Sequence, residues 1–572
     1  MAIEMTDQER MEQERFELER IEKQFARCKY PVVYEEIRTE EIMLKMTDGV
    51  LLRTILLRPE VEGQVPVIVV RTCYPNNDYI YRATAMEYCK RGFAYIYQYC
   101  RGTGGSEGEW VPNENERADG KCMIDWICGL AWAGNVGYFG CSYLALTGWL
   151  IADILPEKVK TMYLTHYGTF RHVSAYKDGA FRHDVLTAWA MENAGYPVNA
   201  DYLASCRFQP HVEVDEKLWG KRLDWYRKWV TGTNESDAYW NTGLWGLLKE
   251  IPSRVKVPVY IGEGWYDHHL GSAIETYRRL SDECKKKSRF LIGAWDHNFN
   301  VAVEGHQGEH FENDDVLRAF YWFYQLLVEE KEPQGSVDTY IIGDDSWFCR
   351  ADYDIEEQEE FKVWLGKGRT LTDRPQEEGT VEFTFCPENP VPSHGAESLL
   401  ATGWEQGSLL QPGPDYREDV VSFCSRPLKE SITVLGKIRV NLDVGTDAED
   451  TAFVVKVMEV MEDGKAYNIR TGITTLGYRG GSKKRQTYTP HTIVPISIEM
   501  WDVAWKIQKN SRLRIDITSS DFPQYCVHSN YAGCWAQARQ NKDACQKIYF
   551  GKGHSSSVVF PKLETDGSRV GD

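Results

Sequence analysis

Ser142, Asp267 and His297 lie far apart in the chain, yet each follows a short apolar run punctuated by glycine, and together they could carry out acyl transfer. Ser142 stands in Val136-Gly137-Tyr138-Phe139-Gly140-Cys141-Ser142-Tyr143-Leu144-Ala145, where a strand pattern gives way to a helical one. A serine on such a turn has its hydroxyl at the end of a sheet, and the following backbone N–H points where an oxyanion would form. The usual Gly-x-Ser-x-Gly pattern is incomplete, because Leu144 replaces the last glycine, although Ala145 beside it is small. Taken alone, the serine reads equally well as a helix N-cap. Asp267 ends Gly262-Glu263-Gly264-Trp265-Tyr266-Asp267, and His297 ends Gly293-Ala294-Trp295-Asp296-His297. Either one alone is an ordinary loop aspartate or core histidine. In the chain order Ser, Asp, His, at the C-terminal ends of three strands, they read as the constellation of an α/β-hydrolase.

The elements that must position these residues follow from periodicity. Residues 7–27 form a charged helix with Met11, Leu18 and Phe25 seven apart and Ile21 on the same face. That stripe is narrow, so the helix is expected to dock on the protein's own body or on a neighbouring subunit. Strand patterns flank Thr47-Asp48-Gly49 as a hairpin. Val67–Val70 reads as a buried strand, 81–91 as a helix, 93–97 as a strand and 114–130 as a helix. Such alternation predicts a mostly parallel sheet with helices on both faces. Residues 150–245 lose the strand pattern and are rich in Trp, Tyr and His, including His166, which predicts an inserted helical cap. Strands return near Val259 and Ser288, and a helix over 315–329 closes the domain. After Pro333 the pattern is strands only, including Thr339–Ile342, Ile432–Leu435 and Lys437–Leu442, as in a β-sandwich. The expected division is therefore 1–30 N-terminal helix, 31–149 first part of the α/β core, 150–245 cap, 246–333 second part of the core and 334–572 sandwich.

Composition narrows the classes. The net charge of −19 disfavours nucleic acid or an anionic membrane as the main partner. No apolar run approaches the roughly 18 residues of a membrane span, and the N-terminus is charged, so a cytoplasmic protein is expected. The 15 cysteines include no Cys-x-x-Cys pair, which argues for free thiols over a zinc or redox site. The glycine loop at 102–108 has neither a Gly-Lys-Ser/Thr ending nor Gly-x-Gly-x-x-Gly, so neither nucleotide nor other cofactor is expected. His268 and His269 lack metal-binding spacing, so no metal is expected.

Read together, these stretches resemble the CocE/NonD family of serine hydrolases. The resemblance rests on Arg71-Thr72-Cys73-Tyr74-Pro75, on Gln98 to Trp110, on Gly137 to Ala145, on Gly264-Trp265-Tyr266-Asp267, on Gly293-Ala294-Trp295-Asp296-His297 and on Ser519-Ser520-Asp521-Phe522-Pro523. It implies an α/β-hydrolase core (a mostly parallel sheet with helices on both faces) with an inserted helical cap and a C-terminal jelly-roll β-sandwich. It also implies Ser142 as nucleophile, His297 as general base and then acid, and Asp267 as the carboxylate that orients His297. The Tyr74 hydroxyl and the Tyr143 backbone N–H would form the oxyanion hole. Where the family's amino-acid ester hydrolases carry two carboxylates that hold a substrate ammonium, this chain has His269 and Leu270. A cationic amine is therefore not expected, and His268 and His269 could face an anionic or polar acyl group or be a plain loop pair. Trp265 and Tyr266, beside the triad, are candidates for an apolar acyl pocket. The expected activity is hydrolysis of a small-molecule ester or amide through an acyl-enzyme. An acyltransferase, or a catalytically idle binding protein on the same scaffold, remains open. A homo-oligomer is compatible with the sequence.

Overall fold

The computed structural model describes residues 6–306, 314–354, 358–395, 397 and 406–563. Among them the first sheet has ten strands: β1 (Ile37–Lys45), β2 (Leu51–Pro59), β3 (Val65–Thr72), β4 (Ala94–Tyr99), β5 (Ala133–Cys141), β6 (Val159–Thr165), β9 (Val259–Gly264), β10 (Arg289–Gly293), β11 (Ser336–Ile341) and β12 (Ser346–Arg350), the numbers β7 (Tyr176–Lys177) and β8 (Ala180–Phe181) belonging to a small separate hairpin. The order across the sheet is β1-β2-β4-β3-β5-β6-β9-β10-β11-β12. From β4 through β11 neighbours run parallel. The hairpin β1–β2 turns at Thr47-Asp48-Gly49 and joins the sheet antiparallel, as does β12. β4 and β9 are buried throughout, as strands sandwiched between helical layers must be.

The helices are α1 (Asp7–Ala26), α2 (Asp78–Cys89), α3 (Glu116–Gly129), α4 (Tyr143–Trp149), α5 (Arg171–Ala175), α6 (His183–Asn193), α7 (Val198–Arg207), α8 (Val214–Lys217), α9 (Asp224–Thr231), α10 (Ala238–Asn241), α11 (Gly243–Glu250), α12 (Leu270–Arg279), α13 (Asp282–Lys285) and α14 (Asp315–Phe323). α5 to α11 make the helical insertion between β6 and β9.

α1 docks on the protein's own body. A capping box between Thr6 and Glu9 starts it, and Ile21, Gln24 and Phe25 are buried. The Gln24 side-chain carbonyl accepts from the N–H groups of Val316 and Leu317, both at 3.1 Å. These first-turn donors of α14 have no intrahelical partner, so α1 caps α14 from outside. The apolar stripe of α1 is only half used: Met11 is 70% exposed.

Three elements of this first part differ from expectation. β6 lies at the centre of the sheet, inside the stretch expected to be wholly helical: Lys160 and Thr161 interrupt its apolar run, although six of its seven residues are buried. The strand over Thr339–Ile342, expected in the sandwich, instead pairs in parallel with β10 and extends the first sheet beyond residue 333. The helix expected over 315–329 is α14 followed by a π-helical turn over Tyr324–Val328.

The C-terminal part is a jelly-roll-like sandwich of eleven strands among the described residues: β13 (Glu359–Gly366), β14 (Thr370–Thr372), β15 (Gly379–Phe385), β16 (Val421–Ser425), β17 (Ile432–Thr446), β18 (Ala452–Val460), β19 (Ala466–Thr475), β20 (Val494–Ile507), β21 (Arg512–Thr518), β22 (Ala544–Phe550) and β23 (Ser557–Lys562). The two short strands expected at 432–435 and 437–442 are one strand, β17, whose pairing with β20 shifts register between Lys437 and Arg439. The sandwich packs against the first sheet, with Ile342 bridging Trp505 in parallel.

Candidate active site

β5 ends at Cys141 and α4 begins at Tyr143, so the chain reverses at Ser142 alone. Its backbone sits at φ 58° and ψ −126°, a conformation that L residues adopt only when their surroundings impose it. The Ser142 N–H donates to the Thr165 carbonyl at 2.9 Å, which fixes the turn to β6. Gly140 is required here: a Cβ on it would stand 2.2 Å from the Leu144 carbonyl oxygen. Two strands away a Cβ on Gly264 would meet the Trp295 carbonyl oxygen at 2.2 Å, so the chain can bring the loops after β9 and β10 together only with glycine there.

Those loops carry Asp267 and His297. His297 Nε2 lies 2.9 Å from Ser142 Oγ, and its Nδ1 lies 2.5 Å from Asp267 Oδ2. The order serine hydroxyl, imidazole, carboxylate is thus continuous. Asp267 is wholly buried and has two further supports, the His269 N–H on Oδ1 at 2.5 Å and His166 Nδ1 on Oδ2 at 2.9 Å. Burial works to raise the Asp267 carboxyl, but the surrounding imidazoles, His297 first, and the hydrogen bonds from His166 and His297 outweigh it and hold the group well below the usual carboxylate range. His166, Asp267 and His297 also present ligand atoms within 4.8 Å of one another, a spacing a metal ion could use. Both imidazoles approach the same carboxylate oxygen through Nδ1, and a hydrogen bond there needs a proton where a metal needs a lone pair.

Behind this lies Glu263, wholly buried, with neither carboxylate oxygen hydrogen-bonded. Burial, followed by the charge of Asp267, pushes its carboxyl well above the ordinary range, so it is held as the neutral acid. Burial first pushes the imidazoles of His268 and His269 well below their ordinary values, against the pull of Asp267; His269 adds to the effect at His268, and His297 and nearby arginines add to it at both. His269 Nδ1 is 2.8 Å from Ser174 Oγ, while the ring of His268 lies tilted 4.5 Å from that of His297 and its own Nδ1 makes no hydrogen bond. Cys141, beside the serine, is no rival nucleophile: burial pushes its thiol up to about 12.

Tyr74 follows β3, and its ring meets that of Tyr143 edge to face at 6.5 Å. The Tyr143 hydroxyl accepts from Asn113 N–H at 2.8 Å and donates to Glu116 at 3.2 Å. This side chain is therefore committed to structure, and the residue can offer chemistry only through its backbone N–H, which has no intrahelical acceptor at the first position of α4. Glu116 also binds the fully buried Arg71 at 2.7 Å, and Arg71 Nε reaches Gln98 at 3.1 Å. The Arg71-Thr72-Cys73-Tyr74-Pro75 stretch is thereby braced from below by α3.

Residues 48–298 match the family model of X-Pro dipeptidyl-peptidase (S15 family), and residues 333–559 match that of the X-Pro dipeptidyl-peptidase C-terminal non-catalytic domain. Over 574 residues the chain is 26% identical to the cocaine esterase of Rhodococcus sp. (strain MB1 Bresler), covering 91% of this chain and 98% of that one. Among solved structures it is similar to an aminopeptidase from a marine sediment Thaumarchaeota archaeon (TM-score 0.79, 18% identity, 94% and 99% of the two chains) and to an α-amino-acid ester hydrolase (TM-score 0.77, 20% identity, 93% and 98%). A CocE/NonD family hydrolase from Staphylococcus aureus also superposes, with TM-score 0.65, 14% identity and coverage of 92% and 94%. The chain belongs to the CocE/NonD family of serine hydrolases.

Within this CocE/NonD chain the structure brings together Ser142, Asp267 and His297, with His268 and His269 beside them and Tyr74 and Tyr143 adjacent. It sends Trp265 and Tyr266 elsewhere. Both are wholly buried: the Trp265 indole donates to the Tyr340 carbonyl at 2.7 Å, and the Tyr266 hydroxyl reaches the Ile469 carbonyl at 3.4 Å. They tie the Asp267 turn to β11 and to the sandwich. The aromatic wall near the serine comes instead from the helical insertion. Trp189 stacks on Tyr143 at 5.9 Å and on Trp229 at 5.9 Å, and its indole donates to the Tyr74 hydroxyl at 3.3 Å. Trp189, His166 and Glu263 had no role at the site in the reading of the sequence; for Trp189 and His166 the one signal was the density of Trp and His in the segment after Ser142.

Proposed function

We propose that the chain is a serine esterase or amidase that cleaves a small acyl compound through an acyl-enzyme on Ser142. The observation that carries this reading is the unbroken hydrogen-bonded series from Ser142 Oγ through His297 to Asp267. Ser142 Oγ attacks the acyl carbon as its proton passes to His297 Nε2, and the carbonyl oxygen becomes an oxyanion held by the Tyr74 hydroxyl and the Tyr143 N–H. Asp267, held as the anion, stabilises the imidazolium. The intermediate collapses by expelling the alcohol or amine, which takes the proton from Nε2. Water then repeats the sequence on the acyl-enzyme: its proton passes to His297, the acid is released, and Ser142 recovers its hydrogen.

Intact mass after fluorophosphonate treatment of wild type and Ser142→Ala tests the assignment. A single adduct confined to the wild type is the expected result. An adduct on both proteins would reassign the nucleophile, and none on folded wild type would favour an idle scaffold.

A further inference from the structure

A cavity of about 270 Å³ lies between the first sheet and the sandwich, and none of Ser142, Asp267 or His297 lines it. Its lining is rich in charge, and three of its cations are already paired. Arg278, on α12, meets Asp354 at 2.7 Å; Lys437, on β17, meets Glu499 at 2.7 Å; Arg439, also on β17, meets Glu360 at 2.8 Å. Two lining charges are left over. Arg350, at the end of β12, donates from Nε to the Tyr353 carbonyl at 3.2 Å and from Nη1 to the Thr339 hydroxyl at 2.9 Å, both neutral groups, and takes part in no ion pair among the described residues. Asp502, on β20, is 4% exposed. Its backbone carbonyl accepts from Arg470 at 3.1 Å, but its carboxylate has neither ion pair nor hydrogen bond among the described residues. The buried hydroxyl of Tyr353, in the same lining, has no hydrogen-bond partner either.

A carboxylate taken out of water without a partner is costly, and a guanidinium held by neutral groups and by the rings of Phe348 and Tyr353 is incompletely compensated. A lone anion in the cavity would answer Arg350 and be repelled by Asp502; a lone cation would do the reverse. One molecule that carries both signs answers both, and the space is far more than a single water needs. Arg350 belongs to the first sheet and Asp502 to the sandwich, so such a molecule would bridge the two layers. The cavity also touches what holds the Asp267 turn: Arg470 lies 5.2 Å over the ring of Tyr266, and Arg278 belongs to the helix that begins at Leu270.

We propose that this cavity is a binding site for a small zwitterion, an amino acid whose ammonium meets Asp502 and the Tyr353 hydroxyl and whose carboxylate meets Arg350. It shares no residue with the triad and does not rest on the hydrolase reading.

Calorimetric titration of the full chain with glycine, β-alanine and γ-aminobutyrate, which differ in the separation of their charges, tests it, with acetate, methylammonium and inorganic phosphate as controls. At least one zwitterion should bind about tenfold or more tighter than acetate and methylammonium, each of which lacks one of the two charge-assisted contacts. Arg350→Gln and Asp502→Asn should each weaken that zwitterion by about tenfold or more. The same ligand should raise the melting temperature of wild type and, at equal concentration, that of the variants much less. Where Asp502→Asn does not fold, Arg350→Gln decides alone. Binding of none of the three zwitterions, phosphate bound as tightly as the best of them, or an affinity unchanged in Arg350→Gln would each overturn the proposal.

Discussion

Trp189 donates its indole N–H to the hydroxyl of Tyr74 at 3.3 Å. The two residues come from different layers, Tyr74 from the end of β3 in the sheet and Trp189 from α6 in the helical insertion. A hydroxyl that accepts a bond in this way still has its own proton to give, and polarisation by the donor makes that proton a better one. The insertion therefore finishes a group that the sheet supplies.

Tyr74→Phe should lower kcat/KM by roughly 10²-fold, the usual loss of one oxyanion donor. Trp189→Phe, which removes a neutral hydrogen bond worth about 1 kcal/mol, should cost roughly fivefold. Because the indole acts through the hydroxyl, the double variant should resemble Tyr74→Phe alone. Steady-state kinetics on a fixed ester decide it, and simple multiplication of the two losses would show that Trp189 works independently of Tyr74.

Acid should weaken the fold before any carboxylate of the triad titrates. Burial is the main force depressing His183, His268 and His269 well below their ordinary values, and it pushes His172 down to about 4 and His211 to about 3. A depressed imidazole stabilises the fold fully above its unfolded value, near 6.5, and loses that contribution as pH falls toward its folded value, at about 1.4 kcal/mol per pH unit each. Asp267, also depressed, adds its own loss only below about pH 4. Melting temperature recorded from pH 7.5 to 4.5 should fall steeply below 6.5, and a flat profile would mean that these imidazoles are charged in the fold.

Glu263 works in the other direction. Its carboxyl is raised in the fold, so the folded state binds a proton that the unfolded chain releases above about 4.3, and stability is lost as pH rises. Glu263→Gln keeps the shape without the titration. It should raise the melting temperature at pH 7.5, with the gain shrinking toward pH 4.5; a lower melting temperature at both values would contradict the neutral-acid assignment.

Truncation after Pro333 should yield insoluble or inactive protein. It removes β11 and β12, hence the carbonyl that holds Trp265, and also the Ile469 carbonyl that holds Tyr266. Expression of residues 1–333 with an ester assay checks this, and a soluble, fully active fragment would refute it.

The meeting of Ser142, Asp267 and His297 was legible in the sequence because each ends a strand in a glycine-punctuated turn, and such turns are local. β6 was not, since its state is decided by pairing with β5 and β9 on either side and only weakly by its own residues. With β6 unread, His166 had no assigned place, and its bond to Asp267 could not be foreseen. Trp265 and Tyr266 misled for the opposite reason: they adjoin Asp267 along the chain, but a turn sends consecutive side chains in different directions. The aromatic wall near the serine is built from residues at least 46 positions further on, and no spacing rule connects Tyr143 to Trp189.

The separation of 155 residues between Ser142 and His297 also has a meaning in time. At roughly 5–20 residues per second, a ribosome delivers the base about 8 to 30 s after the nucleophile. Through that interval the serine turn has no imidazole beside it, and the sheet edge that will receive β9, β10 and β11 stands open. α1 waits longer still, because the helix it caps begins at Asp315. On the proposed assignment the nascent chain holds its serine turn without a base through that interval, and closure of α1 onto α14 follows the arrival of His297.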